Sequence, residues 1–162
     1  MRPKANLLVV LLLAVGLWSC DPQRYFSEYQ SLPETGWNAA LQPEFLVEIE
    51  DTGQVFNMQV MFRHAPEYPY QNLYIHMHTD FPSKKSITDT LTLYLFDAAG
   101  KPLGSCMGDL CDVEFLYRKD IKFPEKGQYR FRLEQRMRSP NQTLPLIFDA
   151  GLRLEKSSLH EK

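Results

Sequence analysis

Residues 45–63 read FLVEIEDTGQVFNMQVMFR, and this stretch decides the fold. Phe45, Val47 and Ile49 alternate with Glu44, Glu48 and Glu50. Phe56, Met58, Val60 and Phe62 alternate with Asn57, Gln59 and Arg63. Successive side chains of a strand point to opposite faces, so an apolar residue at every second position marks a half-buried strand. Asp51-Thr52-Gly53-Gln54 separates the two runs with residues suited to a tight turn, which predicts a hairpin.

The same period recurs along the chain. Leu73, Ile75 and Met77 alternate with Tyr74, His76 and His78, and Leu91, Leu93 and Leu95 with Thr92, Tyr94 and Phe96. Tyr129, Phe131 and Leu133 alternate with Arg130, Arg132 and Glu134. Leu146, Phe148, Ala150, Leu152 and Leu154 share a parity opposite to Asp149 and Arg153. Pro66, Pro69, Pro82, Gly100-Lys101-Pro102, Pro124-Glu125-Lys126-Gly127 and Pro140-Asn141 fall between the runs. No stretch carries a helical apolar stripe, and a parallel sheet would need helical crossovers. The expectation is an all-β fold: an antiparallel two-sheet β-sandwich of roughly seven to nine strands, immunoglobulin-like or jelly-roll.

The N-terminus has a different character. Arg2 and Lys4 precede the apolar run of residues 7–17, LLVVLLLAVGL, which leads into Leu17-Trp18-Ser19-Cys20. A basic start, a short apolar stretch and small residues at the cut describe an export signal. A cysteine directly after the cut is the lipobox of bacterial lipoproteins. Eleven residues of helix span about 16 Å, roughly half a bilayer core, which disfavours an uncleaved anchor. Acyl chains on Cys20 contribute about 0.8 kcal/mol per buried CH₂. The organisation expected is a signal peptide over 1–19, a lipidated Cys20 with an N-terminal tether and edge segment over 20–41, a β domain over 42–156 and a tail over 157–162. The mature chain loses Arg2 and Lys4 and no acid, so its net charge moves from −2 to −4.

The 162 residues are 44% hydrophobic and 23% charged, which suits one globular domain. Eighteen Lys and Arg against 20 Asp and Glu leave no basic excess for a nucleic acid. No G-x-S-x-G and no phosphate loop appears.

Several residues remain as candidates. Outside the cytoplasm, Cys106 and Cys111 could form a disulfide; free thiols are the other reading. His76 and His78 share one face of a strand, about 7 Å apart, and could begin a metal site if His64 or Asp80 completed it. A solvated sheet face explains them equally, and no metal or other cofactor is expected. Tyr68 and Tyr70 in a Pro-rich loop, with Trp37, could touch a protein partner or stack on sugars. Arg130, Arg132, Arg136 and Arg138 would form a positive stripe, a solvated face or one that meets an acidic partner or headgroups.

Taken in order, several segments carry a resemblance. They are Cys20, Tyr25-Phe26-Ser27-Glu28-Tyr29, Leu32-Pro33-Glu34-Thr35-Gly36-Trp37, Phe45-Leu46-Val47-Glu48-Ile49, the Tyr- and Pro-rich loop into Asn72-Leu73-Tyr74, and Asp149-Ala150-Gly151-Leu152-Arg153-Leu154-Glu155-Lys156. Over nearly all of residues 20–156 the chain resembles the gliding motility lipoprotein GldH family. The resemblance implies a non-enzymatic envelope lipoprotein of the gliding machinery, linked to type IX secretion. Its partners would be other envelope or gliding-machinery proteins, and the membrane through the lipid anchor. No nucleic acid or small-molecule substrate is expected. Of the functional residues only the lipidated Cys20 carries over. The alternative is a carbohydrate-binding surface lipoprotein that uses the loop aromatics.

Overall fold

The alternating runs pair into two antiparallel sheets in the computed structural model, which describes residues 22–138 and 140–157. The signal segment, Cys20 and the last five residues of the expected tail lie outside those residues. In chain order the strands are β1 (Arg24–Ser31), β2 (Trp37–Asn38), β3 (Glu44–Ile49), β4 (Phe56–His64), β5 (Asn72–Asp80) and β6 (Ser86–Tyr94). They continue with β7 (Ser105–Met107), β8 (Leu110–Ile121), β9 (Gly127–Gln135), β10 (Thr143–Leu144) and β11 (Ile147–Lys156). One sheet has the order β1-β11-β4-β8-β7 and the other β3-β9-β5-β6, while β2 pairs with β10.

With the short β2, β7 and β10 set aside, eight long strands remain. Their order is first-eighth-third-sixth in one sheet and second-seventh-fourth-fifth in the other. This is the arrangement of a jelly roll, and it resolves the choice that periodicity leaves open. Among consecutive long strands only β5 and β6 are hairpin neighbours. Every other connection carries the chain from one layer to the other.

Residues 51–54 therefore do not close a hairpin. β3 pairs with β9, whereas β4 lies between β11 and β8. The Gly53 N–H donates to Asp51 Oδ1 at 2.8 Å, and this small turn reverses the chain as it crosses the core. Alternation reports which face of a strand is apolar, not which strand lies beside it.

The expected tether also belongs largely to the fold. β1 pairs with β11 along its length, and behind it Leu32 and Trp37 are buried. The expected edge segment is thus β1, the edge strand of the five-stranded sheet.

The core lies where the parity predicts it. Phe45, Val47 and Ile49, then Phe56, Met58, Val60 and Phe62, face Leu73, Ile75, Met77, Tyr129, Phe131 and Leu133. Burying each such side chain contributes about 1.5–3 kcal/mol. On one flank Tyr25 donates its hydroxyl to the Glu48 carbonyl at 2.7 Å, and the Gln30 side chain bonds both backbone groups of Glu44, which ties β1 to β3. The opposite flank, between β6 and β8, holds an apolar cleft of about 240 Å³ lined by Met58, Ile87, Ile121, Phe123 and Phe131.

Candidate functional site

Because β5 and β9 turn their apolar parity inward, they present His76, His78, Asp80, Arg130, Arg132 and Glu134 on the outer face of the four-stranded sheet. The register sets His76 opposite Glu134 and His78 opposite Arg132, and it sets Thr88 of β6 on the other side of His78. His78 Nε2 lies 2.8 Å from Glu134 Oε2, and its Nδ1 lies 2.9 Å from Thr88 Oγ1. His76 Nδ1 lies 3.8 Å from the same Glu134 oxygen. Arg136 donates to Glu134 Oε1 at 2.8 Å. Burial pushes the Glu134 carboxyl up, but the hydrogen bonds from His78 and Arg136 outweigh it and hold the group below the usual range.

The third member of this cluster is thus Glu134, not His64 or Asp80. His64 is fully buried in β4, where Nδ1 approaches the Ala65 carbonyl at 2.8 Å. Asp80 is taken by Ser86 at 2.5 Å and Arg132 at 3.2 Å. These bonds, led by the one from Ser86, hold its carboxyl below the usual range.

The arginine stripe is shorter than expected and largely neutralised. β9 ends at Gln135, so Arg136 and Arg138 lie beyond it. Arg130 faces Glu44 at 3.4 Å, and Arg132 bridges Asp80 and Gln42. On the outer face of the other sheet, Arg63 lies 2.8 Å from Asp112 and 3.4 Å from Asp149, and Arg153 lies 2.8 Å from Glu114.

The loop aromatics need correction. Trp37 is fully buried, its indole N–H donates to the Leu41 carbonyl at 2.8 Å, and its ring packs 6.0 Å from Phe62. Tyr68 is 5% exposed, donates to the Asn72 carbonyl at 3.1 Å and stacks on Phe96. Neither ring is available to a sugar or a partner. Trp37 lies on a two-residue strand and Tyr68 in a loop, where no alternation reveals the direction of a side chain. Tyr70 is half-buried against the edge of Tyr68, beside an open cleft of about 340 Å³.

Cys106 and Cys111 are direct cross-strand partners in the β7–β8 hairpin, with their sulfurs bonded at 2.01 Å. Gly108 at the turn has φ +60°, and Met107 beside it is 87% exposed.

A jelly roll with mutually paired polar faces, set behind a lipobox, defines a lipoprotein with a β domain. The family model described as GldH lipoprotein matches residues 24–154, and the chain belongs to that family. The gliding motility lipoprotein GldH homolog of Christiangramia forsetii is 30% identical over 162 residues, spanning 97% of this chain and 99% of its own. The gliding motility lipoprotein GldH of Flavobacterium johnsoniae is 29% identical over 153 residues, spanning 91% of this chain and 94% of its own.

Proposed function

We propose that Cys20 carries the lipid anchor and that the β domain serves the gliding machinery, linked to type IX secretion, by binding another envelope protein without turnover. The observation that carries this reading is the flank between β6 and β8. Among the described residues β6 is registered with β5 alone, and Ile87 on it, which lines the cleft, is 46% exposed. An unpaired strand edge beside an apolar cleft suits an extended segment that adds a strand and inserts apolar side chains. Many charged side chains on both outer faces are, by contrast, engaged with one another.

The test uses the lipidated chain in its native envelope. A photo-crosslinking residue at position 87 should give one discrete adduct with another envelope protein, and one at position 46, on the opposite edge strand β3, should not. Ile87→Asp should abolish capture, and Cys20→Ala should abolish acyl labelling. Equal labelling from both positions would refute the docking surface. Acylation that survives Cys20→Ala would refute the anchor.

A further inference from the structure

We propose that His76, His78 and Glu134 form a site for a divalent transition metal, and the ion we assign to it is Zn²⁺. Two imidazoles and one carboxylate are a ligand set that zinc accepts with three protein donors and an open fourth position. The imidazoles argue against calcium and magnesium, which prefer oxygen donors alone.

The spacing supports the assignment. Tetrahedral donors at about 2.1 Å from an ion lie about 3.4 Å apart. The two separations from Glu134 Oε2 bracket that value, 2.8 Å to His78 Nε2 and 3.8 Å to His76 Nδ1. The three donor atoms all lie within 4.8 Å of one another, so the widest gap closes by roughly 1.4 Å at most, within reach of imidazole rotation. The donors also sit on neighbouring rungs of a sheet, which fixes their backbones before any ion arrives.

The surrounding groups are those that orient ligands. With the site loaded, His78 Nδ1–H donates to Thr88 Oγ1, which frees the Nε2 lone pair for the metal. Without the ion, Nε2–H donates to Glu134 instead and the Thr88 hydroxyl donates to Nδ1. A hydroxyl serves in both states because it rotates between donor and acceptor. Arg136 holds Oε1 of Glu134 and leaves Oε2 to the ion. The His76 and His78 side chains are 27% and 19% exposed, so the open position faces outward, toward water or a donor from a docked partner.

The test is zinc titration of the full lipidated chain in detergent, with an affinity tag free of histidine and a chromophoric chelator as competitor. One Zn²⁺ per chain is expected. His78→Ala and Glu134→Gln should each weaken binding more than tenfold, and Thr88→Val about tenfold. Circular dichroism establishes that each variant is folded. Should one fail to fold, X-ray absorption of the wild-type complex still decides, and two imidazoles at about 2.0–2.1 Å are expected. The absence of saturable binding would overturn the proposal. So would a zinc affinity unchanged in folded His76→Ala, His78→Ala double variants, or an absorption spectrum without imidazole.

Discussion

Tyr117 of β8 donates its hydroxyl proton to Asp89 of β6 and so bolts the two sheets together across their open flank. Arg118 donates to the same Asp89 oxygen at 2.9 Å. These bonds hold the Asp89 carboxyl below its usual range despite burial, the one from Tyr117 contributing most. Burial, then Asp89, push the Tyr117 hydroxyl up to about 12.

Tyr117→Phe keeps the ring and removes that bolt. A stability loss of about 1–2 kcal/mol is expected, read as a lower urea midpoint with an unchanged slope. An unmoved midpoint would show that Arg118 alone suffices.

Gly151 lies in β11 beneath β1. A Cβ there would meet the Tyr29 ring at 2.8 Å and the Glu28 carbonyl at 2.9 Å. Gly151→Ala should therefore cost about 1–3 kcal/mol by forcing β1 outward. Hydrogen exchange should speed up across residues 24–31 first. Unchanged protection there would contradict the close packing.

His64 makes stability depend on pH. Its ring is buried against Tyr68 and Phe96, and burial outweighs the Ala65 carbonyl and Asp112 to push its pKa down. Below about pH 6.5 the unfolded chain binds a proton that the folded ring resists, so stability is complete above that pH and falls as pH drops. The slope from this group is at most about 1.4 kcal/mol per pH unit. Glu134, Asp80 and Asp89, whose pKa values are lowered, contribute stability that is lost only below about pH 4. Thermal midpoints between pH 5 and 6.5 should flatten in His64→Leu; a wild-type profile already flat there would refute the assignment.

Reducing the Cys106–Cys111 bond opens a loop of sequence separation 5. On the loop-closure model the cost is about 2 kcal/mol. Without reductant neither thiol should alkylate. The Cys106→Ser, Cys111→Ser variant should keep its β circular dichroism at a lower midpoint.

The inward parity of β3, β4, β5 and β9 was legible in the sequence because each strand buries one face and exposes the other. β8 was not. It follows the glycine-rich turn region around Gly104 and Gly108, and the exposed Leu116 sits among its polar positions and blurs the period. Trp37 gave no directional signal because its strand is two residues long. His76 and His78 were visible as a pair, since both belong to one strand. Glu134 is 56 residues from His78 and joins them only through the β5–β9 register, which alternation does not encode.

The first strand begins only four positions after the lipobox cysteine. Even fully extended, four residues reach about 14 Å. An acylated Cys20 would therefore hold the barrel-like body hard against the headgroups, on a leash too short for roaming. On such a leash, any partner would have to come to the bilayer.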